Sequence, residues 1–139
     1  MSYDNNNIFA KILRGEAPCT KVYEDAHTLA FMDIMPQYDG HVLVIPKEPA
    51  ADLMALSAAG GHAALDTARK IAVALQKALG AEGINIAQMN GAVAGQTVPH
   101  FHIHVIPRHA RDQARAHASV MADPQALEAV AEKIRAALG

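Results

Sequence analysis

The spacing of apolar positions along the chain changes several times, and each change marks an element. Asn5, Asn6 and Asn7 offer capping side chains ahead of Ile8, Phe9, Ile12 and Leu13, a short helical pattern that Gly15 ends. Pro18 restarts the chain as extended structure, and residues 21–25 and 28–32 read as two strands around a turn at Asp25-Ala26-His27. Residues 33–40 form a loop punctuated by Pro36 and Gly40, and residues 41–45 a buried strand stopped by Pro46.

The stretch 52–79 reads as helical, with Gly60-Gly61 separating a short helix from a long one. Leu65, Ala68, Ala72, Leu75 and Leu79 recur at spacings of three and four and define its apolar stripe. Residues 83–88 alternate as a half-exposed strand, 90–97 form a loop with Gly91 and Gly95, and 100–106 form a further strand ended by Pro107. The alanine-rich segment 110–122 has no period and reads as a mobile loop. Asp123-Pro124 then opens a last helix whose stripe is Leu127, Val130, Ile134 and Ala137. Strands without an alternating helix after each one argue for an α+β domain, and neither a repeat nor a second domain is visible in residues 1–139.

Composition narrows the function. Twelve Lys plus Arg against fourteen Asp plus Glu give a net charge of −2, too little positive charge for a general binder of nucleic acid or membrane surfaces. No apolar run approaches the ~20 residues of a membrane span. The single Cys19 fits a reducing compartment, and a cytoplasmic protein is expected. Eight histidines in a chain without Trp are the unusual feature.

Three of them stand in Pro99-His100-Phe101-His102-Ile103-His104-Val105-Ile106-Pro107. In a strand, side chains alternate between faces, so the three imidazoles share one face while Phe101, Ile103 and Val105 share the core face. Imidazoles buried without partners would be costly, so this face should look into a cleft. It could bind a metal or carry out nucleophilic and acid–base chemistry at neutral pH. A zinc hydrolase of the metallo-β-lactamase type needs an Asp-His pair where Ile106-Pro107 stands. A cupin-like site needs more strands than this length allows, and a merely His-rich surface strand does not explain the apolar alternation.

The segment resembles the signature of the histidine triad (HIT) superfamily, His-φ-His-φ-His-φ-φ with φ apolar. Other blocks match in order: Ile8 to Ile12, Tyr23 to Asp25, Leu29 to Ile34, His41 to Lys47, and Gly95-Gln96-Thr97-Val98 as a phosphate loop. The resemblance implies a HIT-like fold, with an antiparallel sheet of about five strands, one long helix and a C-terminal helix. It also implies a hydrolase or transferase acting at an α-phosphate. His102 would be the nucleophile that forms a nucleotidyl-histidine, its tautomer set by the His100 carbonyl. His104 and His41 would support the phosphate and leaving group, and His100 would be mostly structural. Gln96, Thr97 and the backbone around Gly95 to Val98 would donate to phosphate. Asp33 would accept from the ribose hydroxyls, and Phe9, Ile12 and Ile34 would form the slot for the base. Lys47 and Arg108 read as surface charges, although Arg108 is near enough in sequence to meet a second phosphate. His27, His62, His109 and His117 read as solvated.

Three features refine the resemblance. His104 stands where nucleotidyltransferase branches carry Gln, which favours a hydrolase. Many bacterial relatives carry a zinc-binding C-x-x-C where this chain has Asn7-Ile8-Phe9-Ala10, so neither a metal nor a cofactor is expected. The family's Asn or Gln eleven residues before His100 is here Met89. Either Asn90 beside it takes over through a backbone shift, or that substrate contact is missing. The leading expectation is cleavage of AMP–X bonds such as nucleoside phosphoramidates. The alternatives are dinucleoside polyphosphate hydrolysis and a nucleotide-binding module with vestigial activity. Apolar Ala64, Ile71, Val73, Ala74 and Ala78 off the helix stripe, together with the family pattern, point to a homodimer through the long helix and the 83–88 strand.

Overall fold

The computed structural model describes residues 3–112 and 120–139, so His117 and most of the predicted 110–122 loop lie outside the described residues. Five strands form one antiparallel sheet: β1 (Lys21–Glu24), β2 (Thr28–Met32), β3 (Val42–Pro46), β4 (Gly83–Ala87) and β5 (Ile103–Arg108), in the order β1-β2-β3-β5-β4. The helices are α1 (Ile8–Leu13), α2 (Ala58–Leu79) and α3 (Pro124–Leu138).

The alternation of side chains divides the sheet into two working faces. Ala30 and Met32 of β2, Val42 and Val44 of β3, and Phe101, Ile103 and Val105 pack with Ala64, Ala68, Ile71 and Leu75 of α2 and with Leu127, Ala131 and Ile134 of α3. On the opposite face Leu29, Phe31, Leu43 and Ile45 pack under α1 through Phe9. Leu43 pairs with Phe31 on one side and with His104 on the other, so the histidines extend this second face.

Both end helices start as their sequences predict. The Asn7 side chain accepts from the Ala10 N–H at α1, and the Asp123 side chain accepts from the Gln125 N–H at α3, with Pro124 at the first position.

Three expectations need correction. Gly60-Gly61 does not break the helix: Ser57 caps α2, which runs unbroken from Ala58 to Leu79. A Cβ at Gly60 would lie 2.6 Å from Glu48 Oε1 and 2.8 Å from Leu56 Cδ1, so this glycine serves close packing and not termination. The apolar stripe is also rotated. Leu65 is 60% exposed, whereas Ala64, Ile71 and Ala74, read as facing a second subunit, are core residues at 0–1% exposure. In an alanine-rich helix two overlapping periods fit, and the sheet selects the one carrying Ile71. Finally, β5 begins at Ile103 and continues through Pro107 to Arg108, so His100 and His102 lie on the extended approach to it. There the chain hydrogen-bonds elsewhere: the Phe101 N–H donates to the Ala50 carbonyl and the His100 N–H to Val98.

Candidate active site

A cavity of about 460 Å³ opens on the sheet face opposite α2. Its apolar wall is formed by Ile8, Phe9, Ile12, Phe31 and Ile34, and its polar side by Asp33, Thr97, His102 and His104. The structure thus brings together eight of the expected residues: Phe9, Ile12, Asp33, Ile34, Thr97, Val98, His102 and His104.

His41, fully buried, stands behind His104, with its Nε2 2.9 Å from His104 Nδ1 and 3.4 Å from Asp33 Oδ2. His100 is equally buried and does not line the cavity. Its Nε2 donates to the Pro46 carbonyl at 2.9 Å, and its Nδ1 accepts from the Tyr3 hydroxyl at 2.5 Å, which in turn accepts from Asn7 Nδ2. Burial pushes the His100 pKa down despite the Pro46 contact, so the ring is a neutral strut between β3 and the N-terminal segment.

The His102 ring is fixed from two directions. Its Nδ1 lies 2.7 Å from the His100 carbonyl, which can only accept, so Nδ1 carries a proton and the neutral ring has its lone pair on Nε2. Phe9 meets the ring edge-on, with centroids 5.0 Å apart and planes at 90°. The His104 ring lies 5.0 Å away. A neutral imidazole with its second nitrogen tied back is a competent nucleophile at neutral pH.

The loop before the triad differs from expectation in detail. Gln96 does not line the cavity. Its Oε1 accepts from the Gly91 N–H at 2.7 Å, and its Nε2 donates to the carbonyls of Ala51 and Val98 at 2.6 and 2.9 Å, so it braces the loop. Gly95 is at φ +102°, a left-handed turn that favours glycine, and a Cβ placed there would lie 3.6 Å from Met89 Cγ. Asn90 is not turned to the cavity either. Its Oδ1 accepts from the Leu53 N–H and from Gln88, and its Nδ2 donates to Gln88 Oε1. In this structure, therefore, Asn90 does not take over the position of Met89. Thr97 and Val98 alone from this loop reach the cavity.

Five further expectations concern isolated titratable or charged residues. His27 and His62 are exposed as read. His109 is not simply solvated: its Nε2 donates to the Leu79 carbonyl at the end of α2, and its Nδ1 meets Asp112 at 3.1 Å. That carbonyl, then Asp112, raises its pKa. Lys47 pairs with Glu24, whereas Arg108 lies over the Tyr38 ring and donates to Asn85, away from the cavity. The residues missed in sequence are Ala17, Pro18, Cys19, Met35 and Met121, which complete the apolar wall. They come from connections without periodicity, so no pattern flagged them.

Asp33, His41 and His104 offer three ligand atoms within 4.8 Å of one another, spacing that a metal could use. The chemistry of the donors argues otherwise. The Gln37 N–H points at His41 Nδ1 at 3.1 Å, which places the His41 proton on Nε2, the atom an ion would need. The trio suits a hydrogen-bonded chain better than a cation.

A HIT domain model matches residues 14–111, and the chain belongs to the HIT family. Over 101 residues it is 46% identical to an adenosine 5′-monophosphoramidase of Schizosaccharomyces pombe, covering 73% of each chain. It is 42% identical over 108 residues to an adenylylsulfatase of Arabidopsis thaliana, covering 78% of this chain and 55% of that protein. Among solved structures, a HIT-like protein of Bartonella henselae superposes with a TM-score of 0.93 at 44% identity over 99% of both chains. A zinc-bound histidine triad family protein of Mycobacterium smegmatis gives a TM-score of 0.84 at 37% identity, over 96% of this chain and 93% of that one. No thiol stands at residues 7–10 here: Asn7 is occupied in capping α1, and Ala10 is buried beneath it, so this stretch does not fit a cysteine-held zinc.

Proposed function

We propose that the protein is a hydrolase of AMP–X bonds, acting at the α-phosphate through a nucleotidyl-histidine on His102. The observation that carries this reading is the 2.7 Å contact from His102 Nδ1 to the His100 carbonyl, which leaves the Nε2 lone pair as the nucleophile beside the cavity. The relatives named as an AMP phosphoramidase and an adenylylsulfatase support the same substrate class.

In this reading the base lies against Phe9, Ile12 and Ile34, and Asp33 meets the ribose. His102 Nε2 attacks phosphorus, and the P–X bond breaks with its electron pair on X. The leaving group accepts a hydrogen bond from His104 and a proton from solvent. Water then attacks the same phosphorus and loses a proton to solvent. The P–N bond breaks, returning the lone pair to His102 and releasing AMP. Splitting one displacement into two lets a single fixed donor set serve both steps.

Turnover of an AMP-phosphoramidate, lost in His102→Ala while AMP binding persists, tests this reading. A variant that binds and still turns over overturns it.

The protein also assembles, in this reading, as a homodimer through α2 and β4. Leu65, Ala72 and Val73 of α2 and Ile84 and Ile86 of the edge strand line one apolar groove, with Leu65 60% and Ile86 51% exposed. Light scattering on the wild type and on Ile86→Glu tests it, and a monomeric wild type at micromolar concentration contradicts it.

A further inference from the structure

The turn from β2 to β3, residues 33–41, is pinned at many points. The Asp33 N–H donates to the His41 carbonyl at 2.9 Å, the His41 N–H to the Tyr38 carbonyl at 3.2 Å, and the Met35 N–H to Asp33 Oδ1 at 2.8 Å. At the tip, Tyr38 is only 8% exposed, and the Arg108 guanidinium lies over its ring, 4.3 Å from the centroid. Arg108 Nη1 is held in turn by Asn85 Oδ1 of β4 at 2.9 Å. Gly40, at φ +93°, is pressed between Leu79 and Pro107, where a Cβ would come within 2.5 Å of Leu79 Cδ1. A turn held this firmly keeps one donor in place, the Gln37 N–H, 3.1 Å from His41 Nδ1.

That single N–H sets the protons of two histidines. It can donate only to a lone pair, so neutral His41 carries its proton on Nε2. Both neighbours of that proton, His104 Nδ1 at 2.9 Å and Asp33 Oδ2 at 3.4 Å, then serve as acceptors. With Nδ1 accepting, His104 carries its own proton on Nε2. The opposite pair of tautomers would set two donors against each other at Gln37 and present a lone pair of His104 to phosphate oxygen. A His41 cation would meet the same clash at Gln37, although Asp33 would favour the added charge. Among the described residues, His104 and Asp33 are titratable groups within hydrogen-bond or ion-pair distance of His41 Nε2, while the Gln37 amide faces its Nδ1.

We propose that the Gln37 backbone N–H, held by the Tyr38–Arg108 stack, locks His41 and His104 into one donor chain, so that His104 serves as a standing hydrogen-bond donor and not as a proton source. His41 Nδ1 has no proton to pass on, so His41 does not replenish a proton that His104 gives up. Tyr38 and Arg108 touch no substrate in this account and are positioning residues. The part concerning phosphate rests on the hydrolase reading, whereas the tautomers of the free protein do not.

The test is long-range proton–nitrogen NMR of the imidazoles in the ligand-free protein, paired with kinetics on an AMP-phosphoramidate. The wild type should show Nε2–H tautomers at both His41 and His104. Replacing the residue-37 amide by an ester deletes the N–H alone. This change, Tyr38→Ala and Arg108→Ala should each shift both rings toward a mixture of tautomers. The kcat should fall by about tenfold with KM nearly unchanged, a fraction of the loss when an oxyanion donor is removed outright. Tyr38→Phe keeps the ring and should restore both readouts. A wild-type His41 protonated on Nδ1, or an ester variant with unchanged tautomers and kcat, overturns the proposal. The expected tautomers in a protein that hydrolyses no AMP–X compound would support the lock and overturn the hydrolase reading instead.

Discussion

The Nδ1 of His102 lies 2.7 Å from the carbonyl of His100, two residues back along the same extended segment. One strand approach thus supplies both the ring proposed to react and the acceptor that orients it, while the first histidine's own ring points elsewhere, to Pro46 and Tyr3. In the proposed mechanism the roles of the triad then separate: His100 holds, His102 reacts and His104 donates.

This separation predicts different failures. His100→Ala removes a fully buried ring and leaves the Pro46 carbonyl and the Tyr3 hydroxyl without their partner. It should lower stability by about 2–4 kcal/mol and turnover along with it. Tyr3→Phe, which removes one hydroxyl, should cost less in both. Denaturant unfolding and kcat on the same samples check the correlation. Loss of activity in His100→Ala at full stability would contradict the structural role.

Met121 extends the cavity wall from the connection before α3, where the Ala122 N–H donates to the Ile34 carbonyl at 2.8 Å. The residue is 70% exposed, so Met121→Ala should leave folding intact. Removing its apolar contact with a base should raise KM for purine nucleotides severalfold, with kcat little changed. Steady-state kinetics decides it, and an unchanged KM removes Met121 from the base site.

The alternation of His100, His102 and His104 against Phe101, Ile103 and Val105 was legible because a strand face needs only every second residue. The α1 and α3 caps were legible because Asn7 and Asp123-Pro124 act locally. The face of α2 was not, because alanine satisfies several helical periods and only the sheet decides among them. The directions of Gln96 and Asn90 were also hidden, since both amides are taken up by loop contacts distant in sequence, with Ala51 and Leu53.

Burial pushes the Asp25 carboxyl up, but N–H donors from His27 and Thr28 and hydroxyls of Tyr23 and Thr28 outweigh it and lower the pKa to about 2. A depressed folded pKa contributes stability above the unfolded value and loses it as pH falls through the folded one. The shift from 3.8 corresponds to about 2 kcal/mol at neutral pH, and less after allowance for partial exposure. Asp25→Ala should therefore be destabilised at neutral pH, and the gap to wild type should close as pH falls from about 4 toward 2. Urea midpoints across that range check it, and a pH-independent gap contradicts it.

His109 has the opposite sign. The Leu79 carbonyl and then Asp112 raise its pKa above 6.5, so its contribution is full below that value and fades as pH rises through the folded pKa. His109→Gln should lower Tm more at about pH 5.5 than at about pH 8.5. Equal losses at both would assign the contact to packing instead of charge.

In the proposed mechanism His102 carries the nucleotide between the two steps. Intact-protein mass spectrometry, after rapid acid-free quenching of a reaction with an AMP–X substrate, tests it most directly. A mass increase of one adenylyl group is expected, mapped by peptide fragmentation to His102 and missing in His102→Ala. Hydrolysis at full rate with no adduct on His102 at any time, or an adduct on another residue, would contradict it.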